Sequence, residues 1–209
     1  MAAMAPKPPD RPALLLGRNL TLSRGGRTLF GDLTVHLSAG DIVVVEGRNG
    51  AGKTSLLLTL AGVLHPESGS VVTEVGEAPD LHFLGYGAAI KTRLTVAENL
   101  DFWRIIYGAT GIAVTAALDR VGLAHAAALD AGVLSAGQVR RLGLARLLVS
   151  RRAVWLLDEP TVSLDTSGDR LVAEMIDEHA RGGGAVIVAS HEHLRLSAPH
   201  RFIKLEAAP

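Results

Sequence analysis

The segment GRNGAGKT, Gly47 to Thr54, fits the spacing G-x-x-x-x-G-K-[ST]. It lies between a β-rich run, DIVVVEG (41–47), and a stretch that reads as helical on apolar content, KTSLLLTLAGVL (53–64). Strand, glycine loop and helix form the context in which this spacing cradles the phosphates of a nucleoside triphosphate. Gly47, Arg48, Asn49, Gly50, Ala51 and Gly52 would point backbone N–H groups at phosphate oxygens, and Ser55 completes the set in the first helical turn. Lys53 would reach the β- and γ-phosphates, and Thr54 offers a hydroxyl to Mg²⁺. A chance match at average composition is on the order of one in 10⁴–10⁵ per position, so a merely structural glycine turn is the weaker reading.

VWLLDE supplies acids at the end of a continuous apolar run. Asp158 is placed to hold Mg²⁺ through water, and Glu159 to orient or deprotonate an attacking water. An acidic pair alone is ordinary at a strand end; beside the glycine loop it reads as catalytic. His191 follows the run AVIVAS, where a parallel sheet presents ligands at its carboxyl edge. His193 is the fallback for that role.

A second turn, Leu134 to Gln138 (LSAGQ), also opens a helix, whose first amides and positive dipole end attract anions. Ser135 and Gln138 also fit a Ser-x-x-Gln capping box, which needs no ligand.

Taken in order, GRNGAGKT, LSAGQ, LLDEP, SLD and the SH at 190–191 resemble the ATP-binding subunit of ABC transporters, over nearly the whole chain from about Leu14. The resemblance gives LSAGQ a role, because in that family such a turn faces the ATP held by another copy, so that two chains sandwich two nucleotides. It implies that Ser135, Gly137 and Gln138 act across that interface and that Asp165 links the two sites. Glu159 is then the catalytic carboxylate and His191 contacts the γ-phosphate, with ATP and Mg²⁺ as cofactors.

Two positions depart from the family pattern. Its glutamine at the loop entering the helical lobe is absent, since Gln138 is the chain's only glutamine, and Tyr86 or Gly87 stands there instead. Its adenine-stacking aromatic is also missing. Arg24, in SRGGRTLF, is nearest, and a guanidinium can stack on an aromatic plane. Within the family, GYGAAIKTRLTVAENLDFW and WLLDEPTVSLD look most like the ATP-binding subunit of the bacterial haem exporter of cytochrome c maturation. Integral membrane subunits, docked around Tyr86 to Trp103, and a place on the cytoplasmic face of the inner membrane are implied. The alternatives are another ABC exporter, a soluble non-transport ABC-type ATPase, or an inactive nucleotide-binding regulator.

These residues need a scaffold. Strand-like runs alternating with helical ones indicate an α/β fold of P-loop NTPase type, with a mainly parallel sheet, an antiparallel β edge and an inserted helical lobe over about 88–135. The proline-bearing start suggests a disordered tail over 1–13 and a single ATP-binding domain over 14–209. With 21 basic and 21 acidic residues, the chain lacks the basic footprint of a nucleic-acid binder. The absence of cysteine excludes disulfides, thiolate nucleophiles and thiolate metal sites. No apolar run reaches the ~20 residues of a membrane helix, and MAAMAPKPPDRPA lacks a secretory signal's apolar stretch. Mean hydropathy of +0.28 hints at docking on something apolar.

Overall fold

The computed structural model describes residues 11–73, 80–191 and 194–206. Its chain falls into two compact units. The first runs through Phe83 and adds Ala153–Glu159 and the chain from Ala173 onward; the second comprises Leu84–Arg152 and Pro160–Val172.

The first unit holds two sheets. β1 (Ala13–Arg24), β2 (Arg27–Ser38) and β4 (Ser68–Val72) form an antiparallel sheet in the order β2-β1-β4. The antiparallel strands expected at an edge thus make a sheet of their own. The other sheet has the order β5-β6-β7-β3-β8, from β3 (Ile42–Glu46), β5 (Leu81–Leu84), β6 (Val154–Asp158), β7 (Ala185–Ala189) and β8 (Arg201–Lys204). β3 pairs in parallel with both β7 and β8, and β6 with β7. IVVV, VWLL and AVIVA are buried along their whole length, which is why these strands read as apolar runs rather than as alternation. Leu15, Val35, Leu56, Leu60, Leu156 and Ile187 belong to one core cluster that joins both sheets to α1 (Lys53–Leu60).

Local chemistry sets the second unit's elements. α2 (Val96–Tyr107) opens on a capping box: Thr95 Oγ1 accepts from the Glu98 N–H and the Glu98 carboxylate accepts from the Thr95 N–H. The bond from the Thr95 N–H first, and that with the Thr95 side chain second, hold the Glu98 carboxyl below its ordinary range. Asn99, buried on the same helix, accepts from the Lys91 N–H and donates to the carbonyls of Lys91, Leu94 and Thr95, knitting the incoming loop to the helix. α3 (Val114–Arg120) and α4 (Ala136–Val149) pack with α2.

Three boundaries differ from expectation. Ala13 already lies buried in β1, so the tail is not disordered through residue 13, and residues 1–10 lie outside the described ones. The helical lobe reaches beyond 88–135, because α4 continues to Val149 within the second unit and packs on α2 and α3. α1 ends at Leu60, short of Leu64, where Gly62 takes a left-handed φ of 74°.

α5 (Thr166–Arg181) carries His179, whose ring stacks on Trp155 of β6 at 4.0 Å between centroids. Its Nε2 lies 3.3 Å from the Ala153 carbonyl and donates to it. Burial lowers His179 from 6.5 to about 4, against the raising effect of that hydrogen bond. As pH falls through that window the unfolded chain takes up a proton that the folded chain refuses. The stabilisation is therefore complete above the unfolded value of 6.5 and declines toward 4. His179→Phe keeps the stack and removes the proton, so its thermal midpoint should fall less than the parent's between those two pH values.

Candidate nucleotide site

β3 ends at Glu46 and the chain turns through Gly47 to Gly52 into α1. Gly52 takes φ 99° at the helix N-cap, in the left-handed region that a side chain disfavours. A Cβ there would stand 3.0 Å from that of Leu29 on β2, so glycine also admits the neighbouring strand. The Ala51 N–H donates to the Arg48 carbonyl at 3.0 Å and closes the loop. A cavity of about 290 Å³ opens over it, lined by Leu29, Arg48, Asn49, Gly50, Gly52, Lys53, Thr54 and Ser55.

The functional side chains converge at the carboxyl ends of β3, β6 and β7. Lys53 is buried; its Nζ donates to the Gly47 carbonyl at 2.8 Å and lies 3.6 Å from Glu159 Oε1. Thr54 Oγ1 donates to Asp158 Oδ2 at 2.8 Å. On the other side of Glu159, His191 Nδ1 stands 2.7 Å from Oε2, and the His191 N–H donates to the same oxygen at 3.3 Å. A carboxylate can only accept, so Nδ1 carries the proton of this pair. The Glu159 carboxylate is thus held between an ammonium and an imidazole, with 15% of its side chain exposed. Its backbone is strained: φ is 47° in a non-glycine residue, which costs of order 1–3 kcal/mol and persists only where the surroundings impose it. The Glu159 N–H donates to the Ala189 carbonyl at 2.8 Å, which supplies part of that restraint.

Thr54 Oγ1 and the Asp158 carboxylate are hard oxygen donors, the kind that Mg²⁺ takes alongside phosphate oxygens and water. Among the described residues no three His, Asp or Glu side chains converge on a metal site of their own. The Thr54 and Asp158 oxygens fit an ion that also takes phosphate oxygens.

In the second unit, Ser135 Oγ accepts from the Gln138 N–H at 3.3 Å and Gln138 Oε1 accepts from the Ser135 N–H at 2.9 Å, so the capping box forms. Ser135 itself is exposed. Gly137 is there for closeness: a Cβ would lie 2.8 Å from the Ser163 carbonyl oxygen. Asp165 caps α5 by accepting from the Gly168 N–H, and it also accepts from Ser167 Oγ and Arg141 Nη2. The Gly168 bond first, and the Ser167 bond second, hold its carboxyl below the ordinary range.

The structure thus gathers the loop residues, Asp158, Glu159 and His191 at one site, and joins Ser135, Gly137 and Gln138 to the Asp165 loop through α4. His193 lies outside the described residues. Arg24 ends β1 opposite Arg27 and is not among the residues lining the cavity. Leu29 is, and sequence reasoning missed it. Its signal was weak, an apolar residue in a hairpin where the family pattern leads one to expect an aromatic.

A parallel sheet with a glycine loop, an acidic pair and a histidine at its carboxyl edge defines a P-loop ATPase. Residues 30–162 match the ABC transporter family, and the chain belongs to that family. It is 47% identical over 199 residues to the cytochrome c biogenesis ATP-binding export protein CcmA of Rhodopseudomonas palustris, covering 93% of this chain and 98% of that protein. A CcmA from Rhizobium johnstonii is 46% identical, over 85% of this chain and 87% of that one. Among solved structures, an ABC transporter ATP-binding protein from Pyrococcus furiosus superposes with a TM-score of 0.77 at 25% identity, covering 91% and 96% of the two chains.

Lys53→Ala removes the ammonium from the cavity lining. Loss of a charge-assisted bond to phosphate should weaken nucleotide binding about 10- to 150-fold, read by titration with a fluorescent ATP analogue. Unchanged affinity would refute the phosphate role of this loop.

Proposed function

We propose that the chain is the ATP-hydrolysing subunit of an exporter serving cytochrome c biogenesis, with haem or a ligand that accompanies it as the cargo. The hydrolytic half is carried by one observation, the Glu159 carboxylate held between Lys53 and His191 beside the phosphate loop. The transport half is supported by likeness over nearly the whole chain to proteins named as cytochrome c biogenesis ATP-binding export proteins.

ATP enters with its phosphates on Gly47 to Ser55 and its base toward Leu29. Lys53 neutralises charge on the β- and γ-phosphates. Thr54 and Asp158 would hold Mg²⁺, Asp158 directly or through water, and the ion would further neutralise the phosphates. Glu159 accepts the proton of the attacking water as its oxygen bonds to the γ-phosphorus and the bond to the β-bridging oxygen breaks, releasing ADP and phosphate. His191 shares a proton with Glu159 and steers the carboxylate toward the γ-phosphate.

Two copies close head to tail around two nucleotides, each presenting Ser135, Gly137 and Gln138 to the other's ATP. Closure then pulls on polytopic subunits, which hold the chain at the cytoplasmic face of the inner membrane. Tyr86, Ile105 and Ile106 are exposed on the second unit and suit such a contact, whereas Asn99 and Leu100, within the expected docking stretch, are buried.

Glu159→Gln should retain ATP binding, lose about 10²–10⁴ in turnover, and accumulate an ATP-bound dimer on size-exclusion chromatography. Turnover near the parent's would remove Glu159 from the catalytic role. Ser135→Arg should leave single-chain ATP affinity unchanged and abolish turnover, with a stability loss no greater than the ~1 kcal/mol of a helix cap. Normal turnover would return LSAGQ to capping alone. The pathway is tested by purifying tagged Glu159→Gln with ATP from detergent-solubilised native membranes. A small polytopic protein and absorbance of haem are expected; ribosomal or DNA-bound proteins would establish the soluble ATPase instead.

A further inference from the structure

α4 carries two consecutive arginines with different duties. Arg141 Nη1 donates to the Val121 carbonyl, and its Nη2 to Asp165 and Ser167. Arg140 is buried and turns to backbone. Its Nε donates to the Pro160 carbonyl at 3.0 Å and its Nη1 to the Gly85 carbonyl at 2.8 Å. Gly85 is the first residue after β5, and Pro160 follows Glu159 directly in the chain.

A guanidinium suits this duty because its donors leave a rigid plane in fixed directions, while a lysine ammonium is a single point on a flexible stem. A charge taken out of water also needs its hydrogen bonds, so the two carbonyls and the arginine constrain one another. Glu159 is the residue most dependent on such constraint, since its left-handed φ of 47° must be imposed from outside. The Ala189 carbonyl holds its own N–H; the carbonyl of the next residue is the one that Arg140 holds.

We propose that Arg140 is a positioning residue for ATP hydrolysis. By holding the Pro160 and Gly85 carbonyls together it sets the direction in which the chain leaves Glu159, and so where the Glu159 carboxylate points. This rests on Glu159 as the proton acceptor. A residue acting through Glu159 matters only while Glu159 works, which a merely structural residue does not predict.

The test is a double-mutant cycle on the full chain, with ATPase kinetics, fluorescent-nucleotide affinity and thermal midpoint measured for each variant. Arg140→Gln should lower kcat about tenfold or more while nucleotide affinity stays within about twofold, and Arg140→Lys, which keeps the charge and one bond, should recover part of the loss. In a Glu159→Gln background, Arg140→Gln should cost nothing further. Equal slowing in both backgrounds, an unchanged kcat, or parallel loss of affinity and kcat would each overturn the proposal. If Arg140→Gln does not fold, Arg140→Lys carries the same cycle. A Glu159→Gln variant that still turns over overturns the catalytic reading itself, and is visible before any arginine is changed.

Discussion

The parallel register of β6, β7 and β3 is the constraint on which the site depends. Val45 pairs with Ala189 and Ala189 with Asp158, so three strands distant in sequence reach one row together. Just past that row stand the phosphate loop, Glu159 and His191. No single residue could assemble them. The buried apolar runs hold the row, because moving one strand by a residue would take its chemistry out of line with the others. The bonds across the row, Thr54 to Asp158 and His191 to Glu159, then lock side chains whose backbone positions are already determined.

Glu159 shows what the register alone does not provide. A regular strand would carry its carboxylate on along the sheet; the left-handed φ turns the chain at that residue. Proline directly after it narrows the backbone further, because a residue before proline is itself restricted. The strain is local, but what balances it is spread over hydrogen bonds on either side, from the Ala189 carbonyl to the Arg140 guanidinium.

This explains which features were legible in the sequence. GRNGAGKT, LLDEP and the residue after AVIVAS each carry their meaning within a few positions, as strand, turn and reactive group in order. The parallel sheet was equally plain, since IVVV, VWLL and AVIVA have no polar face. Leu29, Arg140 and the reach of the second unit were not, because each acquires its role from contacts across long stretches of chain. Arg140 and Arg141 are indistinguishable by type, and only the helical rotation between neighbours sends one to buried carbonyls and the other to Asp165. The Thr95–Glu98 capping box was local and readable, yet sequence reasoning passed over it.

The turn at Ser135 resolves a choice that looks exclusive. A capping serine accepts a hydrogen bond through an oxygen lone pair, while its own O–H remains a donor. Accepting from the Gln138 N–H therefore leaves the chemistry needed for an anion intact. The cap also settles the orientation of that hydroxyl's oxygen at the helix start, where the first amides have no intrahelical partner and the dipole is positive. Gly137 adds the fit, since its missing side chain lets α4 rest on the Ser163 carbonyl, and Arg141 ties the same helix to Asp165. The cap and the proposed contact with a second copy's phosphates are therefore compatible, and the two readings of LSAGQ describe one arrangement of atoms.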